Sequence, residues 1–136
     1  MRLGIGAAII GGTAAAMLGL GAIPAAAAGA TTCPSDGWIT RWDRCTKLDN
    51  GILSMSTTTT GNYVSVNYYR TKSGSLTAKL GYERSSVNYW WANQNMTTAP
   101  FHYNKSSGIS ASCSAIIGKL YTSGGVTYTT PASDPC

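Results

Sequence analysis

Two stretches of strict alternation dominate the chain. In the first, Tyr63, Ser65, Asn67 and Tyr69 alternate with Val64, Val66 and Tyr68. In the second, Leu76, Ala78, Leu80 and Tyr82 alternate with Thr77, Lys79, Gly81 and Glu83. A period of two is what a strand with one wet and one buried face requires. Lys72-Ser73-Gly74-Ser75 lies between them and supplies a turn glycine. The pattern predicts a β-hairpin over Asn62–Glu83, with the rest of the domain arranged around it.

Shorter β-prone runs flank this stretch. Asp49-Asn50-Gly51 is a turn signal ahead of the threonine-rich run Ile52 to Thr60. Beyond the hairpin, Val87 to Ala92 carries the adjacent pair Trp90-Trp91. Asn93 to Ala99 reads as loop, Pro100 to Asn104 as a short edge strand and Lys105-Ser106-Ser107-Gly108 as a turn. Cys113 to Thr122 alternates weakly around Ile116, Ile117, Leu120 and Tyr121. Ser123-Gly124-Gly125 then turns the chain into Val126 to Thr130, and Pro131 to Cys136 forms a tail. The expected fold is all-β: a small antiparallel sandwich or barrel of about six to seven strands.

The first thirty residues follow a different rule. Arg2 is their only charge, Leu3 to Ile23 is apolar and small, and Pro24 leads into Ala28-Gly29-Ala30. That order predicts a secretory signal peptide over residues 1–30, cleaved after Ala30. A retained membrane helix is the rival reading. Glycines at 4, 6, 11, 12, 19 and 21, with no basic flank after the apolar run, argue against it. Residues 31–136 are then one secreted domain, enough chain for one core and too little for two.

Behind a signal peptide, Cys33, Cys45, Cys113 and Cys136 are expected to be oxidised. Four cysteines allow three pairings. Cys33–Cys45 with Cys113–Cys136 is preferred because each bond then closes a short local loop, the first contributing about 3 kcal/mol in the chain-entropy picture. A metal is not expected, since no two cysteines are spaced C-x2-C and the chain has a single histidine. Losing Arg2 takes ten basic side chains to nine, against five acidic ones. Those nine are scattered from Arg41 to Lys119 rather than gathered on a stripe, which argues against nucleic acid as partner.

Catalytic chemistry is thinly represented. Glu83 is the only glutamate, Asp36, Asp43, Asp49 and Asp134 sit near turns or the tail, and nothing in their spacing recommends an acid–base pair. Glu83 reads as a solvated residue near Lys79 or Arg84. His102 is the only candidate general base, and no nucleophile-elbow glycines frame a serine for it. No catalytic residue and no cofactor is expected.

Binding chemistry is better supplied. Eight tyrosines and four tryptophans stand among many serines, threonines and asparagines, a mixture suited to a protein or a sugar. Neighbours on a strand face opposite ways, so one of Trp90 and Trp91 should look outward. Trp38 and Trp42, with Arg41 and Arg44, lie on or beside the first disulfide loop, which either plugs the end of the fold or forms a contact surface. These six residues are the candidate partner-binding set. Asn95-Met96-Thr97 and Asn104-Lys105-Ser106 match the N-glycosylation pattern.

A resemblance rests on four stretches: Cys33-Pro34-Ser35; Asp43-Arg44-Cys45-Thr46-Lys47-Leu48-Asp49-Asn50-Gly51-Ile52-Leu53; Thr77-Ala78-Lys79-Leu80-Gly81-Tyr82; and Ile117-Gly118-Lys119-Leu120 ahead of Thr130-Pro131 and Cys136. Over nearly all of residues 31–136 the chain resembles small secreted actinobacterial proteins with two disulfides. Among these it is similar to the adaptor subunit of umbrella toxin particles, which joins a lectin-bearing subunit to a larger toxin. The resemblance implies a β-sandwich that binds proteins and has no activity of its own. Three functions are therefore expected in order: a secreted non-enzymatic protein-binding module, as an adaptor subunit of an extracellular toxin complex would be; a carbohydrate-binding module; and a small secreted inhibitor or antibacterial effector. The partner is another secreted protein or, second, a glycan.

Overall fold

The computed structural model describes residues 29–136. The expected signal peptide therefore lies outside the described residues, apart from Gly29 and Ala30 at its end. Nine strands form among the described residues, two of them only two or three residues long. They are β1 (Arg44–Leu48), β2 (Gly51–Thr57), β3 (Tyr63–Arg70), β4 (Thr77–Arg84), β5 (Val87–Trp90), β6 (Gln94–Asn95), β7 (Phe101–Gly108), β8 (Ile116–Thr122) and β9 (Thr127–Thr129).

Two antiparallel sheets face each other. Sheet A has the order β1-β2-β3-β7. Sheet B has the order β5-β4-β8-β9, with β6 pairing the same strand β4 as β5 does, further along it. Both strands of the expected hairpin exist and their apolar residues face the core, but the hairpin does not form, and on β3 the face expected to be wet also buries Ser65 and Asn67. β3 pairs with β2 and β7, while β4 pairs with β5, β6 and β8.

The reason lies in the two apolar faces. Val64, Val66 and Tyr68 on β3 and Ala78, Leu80 and Tyr82 on β4 are all buried in one cluster with Leu53, Met55, Ile116 and Leu120. Crossing from one sheet to the other lets these faces cover each other, whereas a hairpin would lay them side by side with both still open to water. Residues 71–76 are long enough to span the roughly 10 Å between sheets. Gly118 of β8 lets the two sheets approach closely there, since a Cβ on it would stand 2.7 Å from Cβ of Met55 on β2.

The true hairpins are local pairs that the sequence marks less strongly. Asp49-Asn50 joins β1 to β2, and Ser85-Ser86 joins β4 to β5 with φ of 53° and 66° at the two serines. Positive φ at both central residues is the twist a two-residue hairpin needs, here supplied without glycine. Lys105–Gly108, expected as a turn, instead completes the eight-residue edge strand β7. Its pairing with Tyr63–Val66 of β3 provides the backbone partners that its own polar sequence does not advertise.

Cys33–Cys45 and Cys113–Cys136 are the two disulfides, with Cα–Cα distances of 5.8 and 5.0 Å. The first ties the loop before β1 to β1 itself. The second fastens the C-terminal tail, which also bridges back to β8 through Ile116 and Ser133. Two such bonds and no free cysteine are consistent with an extracellular protein.

Candidate functional site

On β5 and just after it, the adjacent tryptophans separate to opposite sides. Trp91 turns toward the core, packs 5.7 Å from the Tyr82 ring and donates from Nε1 to the Ser107 hydroxyl at 3.3 Å. Trp90 lies on the outer face of sheet B, opposite Gly81 of β4. A Cβ at Gly81 would stand 2.4 Å from Cε3 of Trp90, so the missing side chain is what lets the indole lie flat on the sheet.

Around Trp90 the sheet order assembles a platform. Tyr121 of β8 meets it edge-on at 5.9 Å and 60°, and Lys79 of β4 places its ammonium 5.2 Å from the Trp90 ring and 5.3 Å from the Tyr121 ring. Lys79 is thus held between two π faces. Among the described residues the one ion pair is Lys119–Glu83, at 2.5 Å. Lys119 also donates to Asn88 Oδ1 at 2.7 Å. Glu83 is therefore spent on Lys119 rather than on Lys79 or Arg84, and Lys79 keeps its charge uncompensated. Thr127 and Thr129 of β9 extend the same face.

The first disulfide loop divides its candidates. Trp38 is 52% exposed, whereas Arg44 is only 1% exposed and corrects the expectation that it offers a free cation. Its guanidinium lies 3.5 Å from the centre of the Trp38 ring. Nε donates to the Ala132 carbonyl at 3.0 Å, and Nη1 donates to the carbonyls of Thr40, Arg41 and Asp43 at 2.8, 3.1 and 3.1 Å. Burial lowers the Arg44 pKa from its usual value, opposed by the carboxylates of Asp134, Asp43 and Asp36. Arg44 is a brace that knots the loop to the tail. Trp42 is partly buried and donates from Nε1 to the Pro135 carbonyl at 3.0 Å, with Arg41 5.3 Å from its ring. Of the loop's candidates, Trp38 and Arg41 are the exposed ones.

The six candidates do not form one cluster. Ring contacts join Trp90 to Tyr121 and Trp91 to Tyr82, and among the described residues none joins either tryptophan to Trp38 or Trp42. Lys79 and Tyr121 were missed because only the pairing of β4 with β8 makes them neighbours.

The outer face of sheet A is polar: Ser54, Ser65 and Asn67 are buried there beside Asn104, which donates to Asn67 Oδ1 at 2.5 Å and Ser65 Oγ at 3.0 Å. His102 stacks on Tyr69 at 4.3 Å along its border. Gly29 rests against Asn67 and His102, and the Ala30 amide donates to Ser54 Oγ at 3.3 Å. Among the described residues no group of three or more His, Cys, Asp or Glu side chains is placed to hold a metal ion.

No family model, curated protein or solved structure matches this chain.

Proposed function

We propose that the domain is a secreted, non-enzymatic protein-binding module, acting as an adaptor subunit of an extracellular toxin complex. The observation that carries this reading is the Trp90–Lys79–Tyr121 platform. An outward indole and a tyrosine ring are side-chain types in which interface energy concentrates once water is excluded, and the ammonium of Lys79 between them, without a carboxylate partner among the described residues, complements an acidic group on a partner. The two rings stand at 60°, so they do not make the flat pair on which a sugar ring stacks, which favours a protein over a glycan. The eight-residue edge strand β7 adds a row of backbone groups that a partner strand can pair with. What supports the non-catalytic part is the position of His102, stacked on Tyr69 and hydrogen-bonded to none of the described serines. The adaptor role itself rests on the resemblance of residues 31–136, and secretion rests on the apolar N-terminal segment and the two disulfides.

The test starts with affinity purification of the mature protein from culture supernatant and identification of what it retains. Trp90→Ala should then weaken binding to that partner by at least about 2 kcal/mol with folding stability nearly unchanged. Trp91→Ala should instead destabilise the fold by about 3 kcal/mol, the order expected for removing a large aromatic from a core edge. Normal partner binding by the Trp90 variant would remove the platform from the interface. Retention of polysaccharide in place of protein, lost in the same variant, would establish the glycan reading.

A further inference from the structure

A second feature lies apart from the Trp90 platform and shares none of its residues. Where the β1–β2 turn, the β3–β4 crossover and β9 meet, the two sheets part around a cleft of about 440 Å³ lined by Lys47, Asp49, Tyr68, Arg70, Leu120 and Tyr128. That volume is in the range of small-molecule sites.

Arg70 is the unusual member. It is 5% exposed, yet no carboxylate pairs with it among the described residues. Nη1 is taken up by the carbonyls of Gly74, at 2.7 Å, and Met96, which pins the crossover. Nε is buried without an acceptor, and Nη2 makes no hydrogen bond among the described residues. A guanidinium so placed has been desolvated with only part of its charge compensated, and an anion arriving at Nη2 would gain more there than at an exposed arginine. Tyr68, 3% exposed, and Tyr128, 37% exposed, bring two hydroxyls to the same cleft, and neither has a hydrogen-bond partner among the described residues. The three groups sense one another: burial raises the Tyr68 pKa, Arg70 opposes that and Tyr128 adds to it.

We propose that this cleft binds a small organic monocarboxylate, its carboxylate accepting from Arg70 Nη2 and from the Tyr68 and Tyr128 hydroxyls. One under-compensated cation with two neutral donors matches a single negative charge, while Lys47 and Asp49 offset each other among the lining residues. Leu48, Leu76 and Leu120 give the ligand's carbon body an apolar wall. The site is independent of the Trp90 platform, so either assignment can fail without the other.

Isothermal titration of the purified, disulfide-bonded protein tests it with two acids and their neutral counterparts: N-acetylglycine against N-acetylglycinamide, and glucuronate against glucose. The expected result is saturable binding of at least one acid without binding of its counterpart, the acid that binds showing whether a peptide-type or a sugar-type carboxylate is preferred. Tyr68→Phe and Tyr128→Phe keep the rings and should each weaken that binding about tenfold or more, the order for losing one hydrogen bond to a charged group, with the melting temperature little changed. Failure of both acids to bind at tens of millimolar, equal binding of acid and neutral counterpart, or wild-type affinity in either phenylalanine variant would overturn the proposal.

Discussion

Replacing Arg44 by Ala separates a brace from a binding residue. The guanidinium supplies four hydrogen bonds to carbonyls through Nε and Nη1, and its flat face carries the Trp38 ring. Hydrogen bonds made by charged groups are worth about 1.5–3 kcal/mol each, but the four here come from two nitrogens, and three of them share Nη1. Ala132, Thr40 and Arg41 also lie in exposed stretches where water can replace the lost donors. Counting two effective donors gives a loss of about 3–6 kcal/mol, a large part of the roughly 5–15 kcal/mol that holds such a domain together. With a urea dependence of about 1–3 kcal/mol/M, the unfolding midpoint of the oxidised protein should fall by at least about 1 M. Trp38 fluorescence should also shift in the folded variant, because its ring loses the cation beneath it. Equilibrium urea unfolding followed by far-UV circular dichroism and by fluorescence measures both effects. A midpoint within about 0.2 M of the parent would refute the brace. It would return Arg44 to the list of residues kept for a partner.

Two further outcomes follow from the geometry. Gly81→Ala puts a methyl group against Cε3 of Trp90 and the Tyr89 carbonyl, so β5 should be displaced and partner binding lost alongside a destabilisation of about 1–3 kcal/mol, read by the same unfolding assay; parent-like binding would show that the indole does not need the bare backbone. At alkaline pH, Tyr68 and Tyr82 have pKa values raised by burial, so the unfolded chain releases their protons first. Their contribution to stability is therefore complete below the ordinary tyrosine pKa near 10 and is lost as pH rises through the higher folded values. Tyr68→Phe should flatten the fall in melting temperature above pH 10, and an unchanged slope would show that Tyr68 does not titrate with unfolding.

What the sequence determined by itself is the local layer of this protein. Alternation in Tyr63–Tyr69 and Leu76–Glu83 separated the apolar side chains that face the core from the polar ones on the opposite side, because a strand's period of two is a property of the backbone alone, but it did not show that Ser65 and Asn67 on the polar side are buried as well. The Asp49-Asn50-Gly51 signal marked the turn where β1 reverses into β2. The pairing of Cys33 with Cys45 and of Cys113 with Cys136 was legible from loop length. The expectation that one of two adjacent strand tryptophans faces outward came from the same rule, although which one did not. Choosing Trp90 required the tertiary structure, where Gly81 leaves room for its ring outside and Tyr82 receives Trp91 within.

Pairing between strands was decided only there. Two alternating runs joined by a glycine-bearing turn fit a hairpin as well as a crossover, and the difference depends on where each apolar face finds its cover. Here β3 and β4 cover each other across the core. The same blindness hid the platform and the cleft: Lys79 is 42 positions from Tyr121 but directly opposite it in register, and Arg70 and Tyr128 line one cleft only because β9 pairs with β8 at the edge of the other sheet. Arg44 shows the converse. A charged residue beside two tryptophans looks like a contact surface in the sequence, and it becomes a buried brace because four carbonyls and an indole converge on it once the disulfide loop and the C-terminal tail are folded together.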